Sequence, residues 1–67
     1  MKVKDFRQVA ERKPFQPFVI RLPNGAEYQF KEPRDLGATK DYRSIFHFGE
    51  SGWDLIDTES IVEISVR

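Results

Sequence analysis

One histidine, His47, lies three residues after Ser44 and ahead of two aspartates, Asp54 and Asp57. These are the residue types of a Ser-His-Asp relay, in which an imidazole takes the proton of an attacking hydroxyl. No serine here is surrounded by anything like the strained turn that presents a nucleophile. The expected role of His47 is therefore a surface ion pair with Asp54, which would favour the charged ring. Asp54, Asp57 and Glu59 form an acidic group that could hold a hard cation through oxygen. Its spacing fits no calcium loop, and Asp at the start of a turn reads as a cap with solvated charges around it. With no cysteine and a single histidine, the chain lacks the donors of a structural zinc site. The expectation is a non-enzyme with no catalytic residue, no cofactor and no metal.

Basic residues are the next candidates. Lys2, Lys4, Arg7, Arg12 and Lys13 crowd the N-terminal segment, and Arg34, Lys40 and Arg43 follow. Together they could form a nucleic-acid patch. Asp5 and Glu11 interrupt it, and eleven basic residues are balanced by eleven acidic ones. A neutral chain lacks the charge excess from which phosphate affinity comes. Among the aromatics, Tyr28, Tyr42 and Trp53 could stack bases. The alternation assigns Tyr28 and Trp53 to the core side and leaves Tyr42 as the exposed ring.

The elements that must position these residues come from the hydrophobic pattern. Val3, Phe6, Val9 and Ala10 make one helical stripe within residues 3–13. Lys13-Pro14 ends it, because a residue before proline avoids the helical region. The PFQPF string, residues 14–18, has the spacing of a polyproline ligand. Flanked by apolar residues, it reads instead as a connector, with Phe15 and Phe18 plugging the join of helix and sheet. A hairpin follows in FVIRLPNGAEYQF. A three-residue loop Pro23-Asn24-Gly25 puts Gly at the left-handed bulge position. It pairs Leu22 with Ala26, Ile20 with Tyr28, Phe18 with Phe30 and Arg21 with Glu27.

Residues 32–42 are charged and aperiodic and read as a long loop, a common place for function. A second hairpin turns at Gly49–Gly52. It pairs Phe48 with Trp53 and Phe46 with Leu55 on the face expected to form an aromatic core. His47 with Asp54 and Ile45 with Ile56 then lie on the opposite face. Asp57 is placed to cap a tight turn, and Ile61–Val66 forms a last strand with Val62, Ile64 and Val66 inward. At 67 residues this is one domain. It is mainly β, α+β by count: an N-terminal helix, then a five-stranded, strongly bent antiparallel sheet or small barrel. No apolar run approaches the ~20 residues of a membrane span, and the N-terminal segment lacks a signal-peptide core. The expectation is a cytoplasmic protein that meets no membrane.

The order helix, four strands, short turn, strand resembles the Sm-like small barrel and the Src-homology-type barrel. PFQPFVIRLPNGAEYQF, then EPR and DLIDTESIVEI, look like a group of short bacterial proteins with a P-F-x-P-F segment. The motifs of that group are structural and imply no site. The Sm-like resemblance implies a base-gripping Asp and Asn after the second strand. Here Asp35 stands for the first and no Asn follows. Where that family carries a basic or glycine-containing signature, this chain has the acidic Asp57-Thr58-Glu59-Ser60.

The resulting expectation is an interaction module that binds protein or self-associates, acting through sheet edges and the Ile45–Ile56 face with Val19 nearby. An Ile56→Asp change should then abolish association and spare the fold. RNA is the alternative partner, held by Lys40, Tyr42, Arg43 and the helix.

Overall fold

The computed structural model describes residues 1–67. In chain order it has α1 (Val3–Ala10), β1 (Phe18–Arg21), β2 (Glu27–Phe30), a 3-10 turn (Pro33–Asp35), β3 (Leu36–Ala38), β4 (Ser44–Phe48), β5 (Trp53–Asp57), a second 3-10 turn (Thr58–Ser60) and β6 (Glu63–Val66). The order of a helix followed by antiparallel strands is as expected. The count is not: there are six strands rather than five. Nor is there a closed barrel, since the strands form two three-stranded sheets, ordered β2-β1-β6 and β3-β4-β5.

The physical reason lies at the two corners. Pro33 opens a 3-10 turn, where a missing N–H does no harm. Asp35 accepts the N–H groups of Lys31 and Glu32, each at 3.1 Å. The chain therefore leaves one ladder at Phe30 and starts another at Leu36. At the second corner Asp57 caps Thr58–Ser60, accepting Glu59 N–H at 3.2 Å and the Ser60 hydroxyl at 3.0 Å. The additional strand, β3, lies inside the expected loop 32–42. Its residues Leu36, Gly37 and Ala38 pair with His47, Phe46 and Ile45. Three residues are too few to show an alternation.

Helix α1 stops at Ala10, three residues short of the expected end. Its apolar stripe also ends there, and Glu11, Arg12 and Lys13 are exposed, so no packing holds a further turn. Phe6 is fully buried, a contribution of about 1.5–3 kcal/mol. Its ring meets Phe18 edge-on with centroids 5.9 Å apart. Phe15 packs on Phe18 at 5.8 Å, so the PFQPF segment does join helix to sheet. The Lys13–Pro14 peptide bond is cis.

The first hairpin has the expected register, with Phe18 opposite Phe30, Ile20 opposite Tyr28 and Arg21 opposite Glu27. Leu22 N–H donates to Ala26 at 2.9 Å, and Gly25 takes φ +87°. Arg21 pairs across its other side, with Glu63 of β6 at 3.2 Å. Both acids are register partners of Arg21.

The core joins the two sheets and the helix: Phe6, Phe18, Ile20, Phe30, Ile45, Ile56 and Ile61, with Phe18 and Phe30 stacked at 4.9 Å. Thr58 is the one buried polar residue. Its N–H donates to Arg43 carbonyl and its hydroxyl to Tyr42 carbonyl. The last strand departs from the expected alternation. Ile61, just before β6, is buried, Ile64 is half-buried, and Val62 and Val66 are exposed. The 3-10 turn delivers Ile61 to the core before pairing with β1 begins.

Candidate functional site

The second hairpin pairs as expected: Phe48 with Trp53, His47 with Asp54, Phe46 with Leu55 and Ile45 with Ile56. Its faces are the reverse of those expected. Ile45 is 0% and Ile56 3% exposed, whereas Trp53 is 61%, Leu55 60% and Phe48 44% exposed. Residues two apart share a face of a strand, so the inversion moves the whole set. The interior between the sheets is filled by three phenylalanines from α1, β1 and β2. The remaining space takes the compact β-branched isoleucines, and the larger side chains stay outside. Ile45 and Ile56 are thus core residues and cannot be an interaction face.

What remains outside is an apolar face built by β3, β4 and β5. Phe46 and Phe48 lie nearly parallel with centroids 6.0 Å apart, and Phe46 and Trp53 are 5.7 Å apart. Gly37 of β3 makes room for this arrangement. A Cβ there would come 3.0 Å from Phe48 Cε2, inside van der Waals contact, so the ring lies directly against the strand backbone. Phe48, Trp53 and Leu55 are the large apolar side chains left exposed on this face. The free edge of β5 borders this patch, since β5 pairs only with β4.

Polar residues flank both ends of the face. Beyond Phe48 and Trp53 is the exposed hairpin tip Gly49–Gly52 with Glu50. Beyond Ser44 is the loop 39–43, which holds exposed Lys40 and Arg43. That loop is tightly tied. Asp41 accepts Thr39 hydroxyl at 2.8 Å and Arg43 N–H at 3.1 Å. The Arg43 N–H, and after it the Thr39 hydroxyl, hold the Asp41 carboxyl below its ordinary range. Arg43 lies 4.0 Å from Asp41, an exposed pair, and no carboxylate pairs with Lys40 within salt-bridge distance.

Tyr42 sits in the left-handed region at φ 60°, uncommon for a bulky residue. It is half-buried rather than exposed. Its hydroxyl donates to Glu11 at 3.2 Å, and the Arg7 guanidinium lies 5.2 Å from the ring centroid. Partial burial first, and Glu11 second, raise the phenol above its ordinary value. The ring locks the loop to α1 and is not free for stacking. Val19 is half-buried and belongs to the other sheet, paired with Gln29 and Ser65, so it is not part of this face.

His47 is a bridge between the sheets rather than a surface residue. Its side chain is 19% exposed. Nε2 lies 3.1 Å from Gln29 carbonyl of β2, so it must carry the proton. Nδ1 faces Asp54 at 3.5 Å. Ser44 and His47 are three apart on one strand and point to opposite faces, which removes the relay suggested by their spacing. The acidic group is likewise dispersed, with Asp54 at His47 and Asp57 at its cap. No helix is long and apolar enough to cross a membrane.

The signal for the site was present in the sequence as the outward alternative of the same register. Gly37 opposite Phe46 was invisible without β3. Compared with family models, curated proteins and solved structures, the chain matches none.

Proposed function

We propose that this chain is a small cytoplasmic interaction module whose working surface is the outer face of β3–β4–β5. One observation carries the reading: Trp53, Leu55 and Phe48 remain exposed while a complete core closes without them. Trp and Phe are the residue types enriched at protein contacts. His47 is tied to the scaffold through Nε2 and the Gln29 carbonyl, while its buried Nδ1 faces Asp54 at 3.5 Å without a hydrogen bond. The test compares capture by the wild-type chain and by Leu55→Asp. Leu55 is mostly exposed, so the variant keeps its circular dichroism. Partners recovered by the wild type should be lost with the variant. Equal recovery by both would refute this surface.

Single-stranded RNA on the same face is the second reading. Phe46, Phe48 and Trp53 offer three neighbouring rings, a stacking platform of the kind used by sequence-tolerant binders. Lys40 and Arg43 would supply the phosphate contacts, in keeping with the Sm-like resemblance. Tyr42 drops out, because it is held by Glu11 and Arg7. RNA binding would weaken steeply with added salt, whereas an apolar protein contact would not.

A further inference from the structure

We infer that the occupant of this face is the same face of a second copy, packed about a two-fold axis with the strands of the two copies antiparallel. The inference rests on the reading above, that the face binds protein. It commits to one partner and one orientation.

Three observations point to this. The first is area. Trp53, Leu55 and Phe48 together expose about 300 Å² at their fractional exposures, taking roughly 150–250 Å² for a whole large side chain. Two faces packed together remove about twice that, and Phe46 with the polar rim brings the total to on the order of 1,000 Å². That is the size of a weak, transient contact, below the roughly 1,200–2,000 Å² of stable complexes. The second is shape. Two cross-strand apolar pairs, Phe46–Leu55 and Phe48–Trp53, stand side by side on adjacent strands. Sheets pack face to face with strands within about 30° of each other.

The third is charge, and it selects the orientation. Glu50 lies beyond one end of β4, and Lys40 lies beyond the other, with neither in an ion pair within the chain. Antiparallel packing brings Glu50 of each copy to Lys40 of its partner, two equivalent contacts from one pair of residues. Parallel packing would set Glu50 against Glu50 and Lys40 against Lys40. The chain has no net charge, so no long-range repulsion opposes association.

Trp53 is the only tryptophan, and burial at the contact should shift its emission to the blue as concentration rises. Sedimentation equilibrium with this fluorescence should show a monomer–dimer equilibrium with a dissociation constant of about 1–100 μM, as expected for a contact of this size. Glu50→Lys alone and Lys40→Glu alone should each weaken the dimer about tenfold, since two favourable rim contacts become repulsive. An equimolar mixture of the two variants should recover wild-type affinity, because both contacts in the mixed dimer are again Lys against Glu. Failure of the mixture to recover overturns the antiparallel arrangement. A chain that stays monomeric to about 1 mM overturns the second copy as occupant while leaving the face to another protein. A dimer unaffected by Leu55→Asp overturns this inference and the proposed function together.

Discussion

Leu55 and Ile56 are adjacent in sequence and opposite in environment, which makes them the sharpest test of how the second hairpin faces. Ile56 is 3% exposed and part of the core, whereas Leu55 is 60% exposed. Truncating a buried isoleucine to alanine costs about 2–5 kcal/mol, from lost transfer energy and the cavity left behind. A chain of 67 residues has roughly 3–10 kcal/mol of stability in all, at about 0.05–0.15 kcal/mol per residue. Ile56→Ala should therefore lower the melting temperature by about 8–40 °C, since 1 kcal/mol is worth about 4–8 °C in a domain of this size. Leu55→Ala should change stability by no more than about 0.5 kcal/mol, as exposed substitutions do. Replacement by aspartate widens the contrast. An unpaired carboxylate forced into the buried core opposite Ile45 is costly enough to unfold the chain, whereas Leu55→Asp should fold. The assay is thermal and urea unfolding followed by far-UV circular dichroism. It should be run at low chain concentration so that association adds nothing to the apparent stability. A larger loss from Leu55→Ala than from Ile56→Ala would mean that the hairpin is turned the other way, and the interaction face would lose its basis.

Substitutions at three further sites, Gly25, Thr58 and Asp41, probe the scaffold, with Gly52 as a control. Gly25→Ala should cost about 1–2 kcal/mol, because φ +87° is strained for any residue with a Cβ. Gly52→Ala, with open space around it, should be near neutral, and equal urea midpoints for the two would refute the left-handed turn. Thr58→Val keeps the shape of a fully buried side chain but removes the donor to Tyr42 carbonyl. It should cost about 1–3 kcal/mol, while Thr58→Ser, which keeps the hydroxyl, recovers part of that in the same unfolding assay. Asp41 has a folded-state carboxyl lowered by Arg43 N–H and Thr39 hydroxyl. Its contribution is therefore present above the ordinary carboxylate value and is lost as pH falls through the lowered one. Asp41→Asn should be less stable than wild type at neutral pH, with the gap closing in acid, and a gap independent of pH would exclude this linkage.

The register of both hairpins was legible, and the reason is local. Pro23 and Gly25 fit only one loop length, and the loop length fixes every pair up to Phe18 and Phe30. The Gly49–Gly52 turn does the same for β4 and β5. The facing of the second hairpin was not legible, because its alternation is degenerate. Ile45 and Ile56 on one side and Phe46, Phe48, Trp53 and Leu55 on the other are both apolar rows, and period two alone cannot rank them. Ranking by size picks the aromatics for the interior. The deciding fact is non-local: Phe6, Phe18 and Phe30 already occupy the space between the sheets. The charged members of each row carry a further clue. His47 and Asp54 share the face of Ile45 and Ile56, and a polar pair looks like an outward one. Here the histidine finds Gln29 carbonyl in the opposite sheet through Nε2, which is enough to hold the ring inside although Nδ1 makes no hydrogen bond. Once that bond is made, the fold has no use for the four large apolar side chains on the other face. Phe46 is half-buried there, but Phe48, Trp53 and Leu55 stay largely in water, where their exposure is unfavourable, and that imbalance is the ground for proposing a docking role for the face.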